Sequence, residues 1–138
     1  PEYSASPRRK VDLAFYEGMF NRDKPGSSED SVPKAIAAAE LPLVSEVPAG
    51  TYVDMCANLP LVEPEKIPCP TLVIRGEYDG IASFQDLTAF FEKLGHPDKQ
   101  FVVMQGIAHS STRSKNYALV YHQLASYFAQ PEPVYKGA

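Results

Sequence analysis

The sequence predicts an α/β fold organised around a strand, helix, strand, helix run over residues 70–129. Two observations carry this prediction. Thr71-Leu72-Val73-Ile74 and Phe101-Val102-Val103-Met104 are continuous apolar runs rather than alternating ones, the pattern of parallel strands covered on both faces. Between them Phe84, Leu87, Phe91 and Leu94 recur at helical spacing behind Ser83 and Asp86, a pair that reads as a capping box. Two strands joined by a helix in this way are expected to lie side by side in parallel, with a right-handed crossover.

Taken in order, residues 1–10 are polar, carry Pro1 and Pro7, and read as an irregular lead-in. Over 8–20, Val11, Phe15 and Met19 share one helical face and Leu13, Tyr16 and Phe20 another. A helix wedged between other elements is expected there, with Arg8-Arg9-Lys10 as its solvated start. Pro25, Gly26 and the Ser27-Ser28 pair break the pattern over 21–30, which predicts a mobile surface loop. Asp30 or Ser31 can cap a second helix over 32–40, with Pro33 near its start, where a missing N–H does no harm. Pro42 and Pro48 bracket an extended link, and Tyr52, Met55, Cys56 and Leu59 indicate a short helix over 51–59. Pro60, Pro64, Pro68 and Pro70 then mark a linker into the first strand. The last helix is expected from about 111–113 to about 129, with the stripe Tyr117, Val120, Tyr121, Leu124 and Phe128, and is stopped by Pro131 and Pro133. The chain thus divides into a mainly helical region over 1–60 and an α/β region over 61–138.

With 44% hydrophobic and 22% charged residues in 138, the chain has the composition of an ordered globular protein. A net charge of -4 argues against a nucleic-acid partner, which requires a concentrated basic face. No apolar run approaches the ~20 residues of a membrane span, so no membrane partner is expected. Cys56 and Cys69 fit no metal-ligand spacing and read as free, partly buried thiols of a reducing compartment, consistent with a cytoplasmic location. The sequence opens at Pro1 without a methionine, so the native N-terminus, and any signal peptide with it, is expected upstream.

Asp79 and His109 each lie about five residues beyond the end of a strand, at the same rim of the sheet, where open α/β sheets bind their ligands. A carboxylate that accepts the Nδ1–H of an imidazole fixes its tautomer and stabilises the cation formed when Nε2 takes a proton. The pair therefore reads as the acid and base of a nucleophilic mechanism. Taken singly, Asp79 also reads as a turn residue beside Gly80, and His109 as a satisfied loop histidine. Glu77 reads as a solvated or structural loop acid, and His96 and His122 as structural or surface residues. Phe15, Tyr16, Phe20 and Tyr52 could line an apolar substrate pocket or simply pack between helices.

The segment I-P-x-P-T-L-V-I-R-G-E-Y-D, with G-I-A-H-S thirty residues after its aspartate, resembles the C-terminal half of an α/β-hydrolase. In that family the acid follows a strand ending G-x-x-D and the histidine sits in a G-x-x-H loop after the last strand. Gly76-Glu77-Tyr78-Asp79 and Gly106-Ile107-Ala108-His109 match both. The resemblance covers residues 60–129 and implies a partial α/β-hydrolase fold, namely the last two parallel strands with flanking helices, preceded by a helical cap remnant. It implies that Asp79 and His109 are the acid and histidine of a Ser-His-Asp triad, in the family's order of nucleophile, acid, histidine. It implies no metal or organic cofactor. The G-x-S-x-G nucleophile elbow and an HG-type oxyanion segment are both missing from the sequence. Ser110, Ser111 and Ser114 follow the histidine and lack the strained turn of an elbow. The expected protein is the C-terminal fragment of a serine hydrolase acting on a carboxylic ester or related carbonyl compound, inactive without the nucleophile half. The alternatives are a fragment of a haloperoxidase, dehalogenase or C–C hydrolase of the same fold, or a non-catalytic interaction module. Its expected partners are a small-molecule substrate, the missing half, and a second copy joined through the open sheet edge or by domain swapping.

Overall fold

A computed structural model of the chain describes residues 6–130, 132 and 134–137. The lead-in over 1–5 and the helix stop at Pro131 and Pro133 lie outside the described residues.

The first element among the described residues is β1 (Arg8–Lys10), where the sequence predicts a helix start. Asp12 supplies the reason: its carboxylate accepts the Phe15 N–H at 2.9 Å and caps α1 (Leu13–Asn21), so the helix begins after it. The extended backbone before the cap carries Arg9 between two rings, 4.5 Å from the Phe15 centroid and 4.0 Å from that of Tyr52. Helix α2 (Ser31–Glu40) follows; Asp30 stands at its N-cap position with helical backbone angles and makes no side-chain cap bond. The link expected between Pro42 and Pro48 contains β2 (Glu46–Pro48), which pairs antiparallel with β1, Arg9 opposite Val47. Helix α3 (Gly50–Ala57) completes this half. Its core is Val11, Tyr16, Phe20 and Ala37, and the Tyr16 hydroxyl donates to Glu40 Oε2 at 2.7 Å.

The loop after α1 is not a mobile surface element. Ser27 and Ser28 are buried, Ser28 to 1% exposure, because the loop is tied to the C-terminal half. The Ser28 hydroxyl donates to the Arg113 carbonyl at 2.9 Å, and the Lys115 N–H donates to the Ser27 carbonyl at 2.8 Å. Asn21 closes the loop from its other side by accepting the Ser28 N–H through Oδ1 at 3.0 Å. Removing the hydroxyl leaves the Arg113 carbonyl without that donor, so Ser28→Ala is expected to lower the free energy of urea unfolding by about 0.5–1.5 kcal/mol.

Residues 60–70 run through a 3₁₀ turn at Pro64–Lys66 into β3 (Thr71–Gly76). After it come α4 (Phe84–Lys93), β4 (Lys99–Met104), a 3₁₀ turn at Ser111–Arg113, and α5 (Tyr117–Phe128). Strands β3 and β4 pair in parallel from Thr71–Lys99 to Gly76–Met104, and no further strand joins them among the described residues. The fold is therefore of the α/β kind, helices with a two-stranded parallel sheet. Ser83 caps α4 as its sequence implies, accepting the Asp86 N–H at 3.0 Å. At the other end of α4 the Lys99 ammonium donates to the Phe91, Glu92 and Leu94 carbonyls, a cation satisfying orphan carbonyls at a helix C-terminus.

The second core gathers Met104, Ile107 and Val120, with Ile74, Val102 and Leu124 against it. Only part of the apolar stripe on α5 is covered: Val120 is buried, whereas Tyr117, Tyr121 and Phe128 are exposed. Cys56 and Cys69 are free, and both are exposed rather than partly buried. No helix among the described residues is long and apolar enough to cross a membrane.

Candidate functional site

The acid loop is built on Arg75, a residue with no role in the sequence-based expectation. Its guanidinium donates to four carbonyls at once: Gly76 at 2.7 Å, Asp79 at 2.9 Å, Glu77 at 3.0 Å and Ala82 at 3.2 Å. A planar fork of five donors suits such convergence, which a lysine could not reproduce. Around it the chain turns sharply, and the Asp79 side chain closes the turn, its Oδ1 accepting from the Ile81 N–H at 2.9 Å and the Ala82 N–H at 3.1 Å. Asp79 is thus a turn residue in the Asx sense, and its second oxygen is still free for another partner.

That partner is His109. The loop after β4 turns at Gly106, whose φ of 72° lies in the left-handed region that glycine tolerates. Glu77 fixes this turn by accepting the Gly106 N–H on Oε2 at 3.0 Å, so it serves as a structural loop acid. The two loops run so close that the Tyr78 N–H donates to the Ile107 carbonyl at 2.9 Å. His109 Nδ1 then lies 3.0 Å from Asp79 Oδ2 and 3.2 Å from Oδ1. An ionised carboxylate has no proton to give, so the ring nitrogen is the donor of this contact, and a neutral imidazole that makes it carries its proton on Nδ1.

Burial of the Asp79 carboxylate, whose side chain is 12% exposed, opposes its ionisation. The Ile81 N–H, the His109 ring and the Ala82 N–H together outweigh that penalty and hold its pKa below the ordinary carboxylate value. The His109 side chain is 46% exposed, and Nε2 has no hydrogen-bond partner among the described residues. The carboxylate is enclosed and the imidazole is accessible.

The N-terminal half also reaches this rim, through contacts that no local pattern announces. Asp23 Oδ2 accepts the Gly80 N–H at 3.2 Å, while Arg22 Nε donates to Asp23 Oδ1 at 2.8 Å. The Lys24 ammonium sits 4.4 Å from the Tyr78 ring centroid, and the Ser110 hydroxyl donates to the Met19 carbonyl at 3.3 Å. The Arg22 hydrogen bond lowers the Asp23 pKa; burial opposes it, and the Gly80 N–H and the nearby His109 add to the lowering.

The four aromatic candidates pack into the N-terminal half. Tyr16 and Phe20 are buried in its core, and Phe15 and Tyr52 flank Arg9. An apolar groove on this half is lined by other residues, Leu13, Lys34, Ala37, Ala38, Leu41 and Pro42. Among the described residues no hydroxyl or thiol is hydrogen-bonded to His109. Ser110 is turned to Met19, and the Ser114 hydroxyl accepts the Asn116 N–H at 3.2 Å. Nor do three His, Cys, Asp or Glu side chains gather as a metal-ligand set among the described residues. The arrangement can orient an imidazole and stabilise its protonated form. No family model, curated protein or solved structure matches the chain.

Proposed function

We propose that this chain supplies the acid and base of a serine-hydrolase active site in a partial α/β-hydrolase fold, with the nucleophile contributed by sequence outside these 138 residues. The observation that carries the reading is the 3.0 Å contact from His109 Nδ1 to Asp79 Oδ2, with Nε2 left unpaired among the described residues on an accessible ring. The G-x-x-D and G-x-x-H matches at Asp79 and His109 support it, and the absence of an elbow motif from the sequence is why the nucleophile is sought elsewhere.

In this reading Nε2 takes the proton of an attacking serine hydroxyl as its oxygen bonds to the carbonyl carbon of a carboxylic ester. Asp79 stabilises the resulting imidazolium. The same proton passes to the alkoxide as the acyl–oxygen bond breaks, and water repeats the cycle on the acyl-enzyme. The outer edge of β3 carries no strand among the described residues, so the nucleophile-bearing segment, or a second copy, would dock there by strand addition.

Fluorophosphonate labelling of the natural polypeptide that carries this sequence tests the proposal. The expected result is a labelled serine outside residues 1–138, at least ~10²-fold slower labelling in His109→Ala, and no labelling of residues 1–138 by themselves. A natural polypeptide that does not label, or a His109→Ala variant that labels at the native rate, overturns it.

A further inference from the structure

We propose that Asp23 is a positioning residue for the catalytic acid: its carboxylate, delivered by the loop after α1, clamps the turn that aims Asp79 at His109. This rests on the reading of Asp79 and His109 as the catalytic pair. Three consecutive N–H groups of the acid loop are held by two carboxylates. Asp79 Oδ1 takes those of Ile81 and Ala82, and Asp23 Oδ2 takes that of Gly80. Asp79 Oδ2 is thereby spared for the imidazole.

The fit between Asp23 and Gly80 is close enough to exclude a side chain. A Cβ on Gly80 would lie 2.7 Å from Asp23 Oδ1 and 3.0 Å from its Cγ. The carboxylate has little room to yield, because its side chain is only 10% exposed and Arg22 Nε holds the Oδ1 atom. The Lys24 ammonium against the Tyr78 ring fastens the same two loops, one residue after Asp23 on one and two residues before Gly80 on the other. Asp79 and Gly80 are adjacent, so motion of the Gly80 amide is transmitted directly to the acid. Asp23 also places a second negative charge in the neighbourhood of His109, where an imidazolium would form.

Long-range ¹H–¹⁵N spectra of His109 in the neutral form, with amide exchange at Gly80, test the assignment in the full chain. In Asp23→Ala, Gly80 exchange is expected to quicken about 3–10-fold. His109 is expected to pass from the Nδ1–H tautomer to a mixture with Nε2–H. Asp23→Asn keeps an oxygen for the Gly80 N–H but loses the Arg22 Nε contact at its NH₂ group, and is expected to restore both readings in part. Gly80→Ala, which keeps Asp23 but drives its carboxylate off the loop, is expected to give the Asp23→Ala tautomer mixture. A native tautomer in Asp23→Ala, or an Asp23→Asn variant indistinguishable from Asp23→Ala, overturns the positioning role and leaves the Asp79–His109 pair standing. A native chain already in the Nε2–H form overturns both.

Discussion

Gly76→Ala is expected to lower the unfolding free energy by about 1–3 kcal/mol or more and to part the two loops that carry Asp79 and His109. A Cβ at this position would lie 2.5 Å from the Ile107 carbonyl oxygen, 2.8 Å from that of Ala108 and 2.9 Å from the Ile107 carbonyl carbon. All three are backbone atoms, so no side chain can rotate out of the way. Ile107 is fully buried in the second core, and its carbonyl already receives the Tyr78 N–H. The strain must therefore be relieved by moving one loop off the other, which lengthens the Asp79–His109 contact. Gly18 is the control of opposite sign: it lies within α1 with open space around it. Gly18→Ala is expected to stabilise by about 0.5–1 kcal/mol through helix propensity. Urea denaturation of the two variants, read as midpoint and slope, separates these outcomes.

Asp79→Asn is expected to leave the fold nearly intact and to slow the labelling reaction of the natural polypeptide about 10⁴-fold, the scale of the same substitution in a Ser-His-Asp triad. An asparagine oxygen can still accept the Ile81 and Ala82 N–H groups, which keeps the turn. Its NH₂ group then faces His109 Nδ1, so the ring must accept there and carry its proton on Nε2, the atom that the proposed mechanism requires to be free. The pH dependence follows from the depressed Asp79 pKa. The folded state favours the ionised carboxylate, so this contribution to stability is complete above the ordinary carboxylate range. It is lost as pH falls through the lower, folded-state value. Asp79→Asn removes that acid-limb dependence.

The C-terminal half was legible because its signals are local. Continuous apolar runs encode the two parallel strands, although only Gly76 and Met104 in them are buried and Val103 is exposed; Ser83 and Asp86 encode a helix start, and the spacing of Asp79 and His109 after their strands brings both to one rim. The N-terminal half was less legible because its decisive contacts are distant. The spacing that suggested helix from residue 8 runs across Asp12, whose capping bond sets the true start. The strand that pairs with Arg8–Lys10 lies 38 residues away at the Arg8–Glu46 contact. Ser27 and Ser28 have loop chemistry and loop geometry, yet they are buried by a partner 85 residues on. Arg75 stands at the end of an apolar strand, a placement that calls for a buried set of acceptors, but its four carbonyls become visible only once the turn is drawn. Asp23 left no mark, since its partner is the backbone of Gly80, 57 residues later.

The protonation pattern of the His109 ring in the native chain reports whether the Asp79 carboxylate orients it. Long-range ¹H–¹⁵N spectra of the neutral ring should show the proton on Nδ1 and a bare Nε2, reversing in Asp79→Asn. A ring that carries its proton on Nε2 in both proteins would rule that role out, because the imidazole would then owe nothing to the carboxylate beside it.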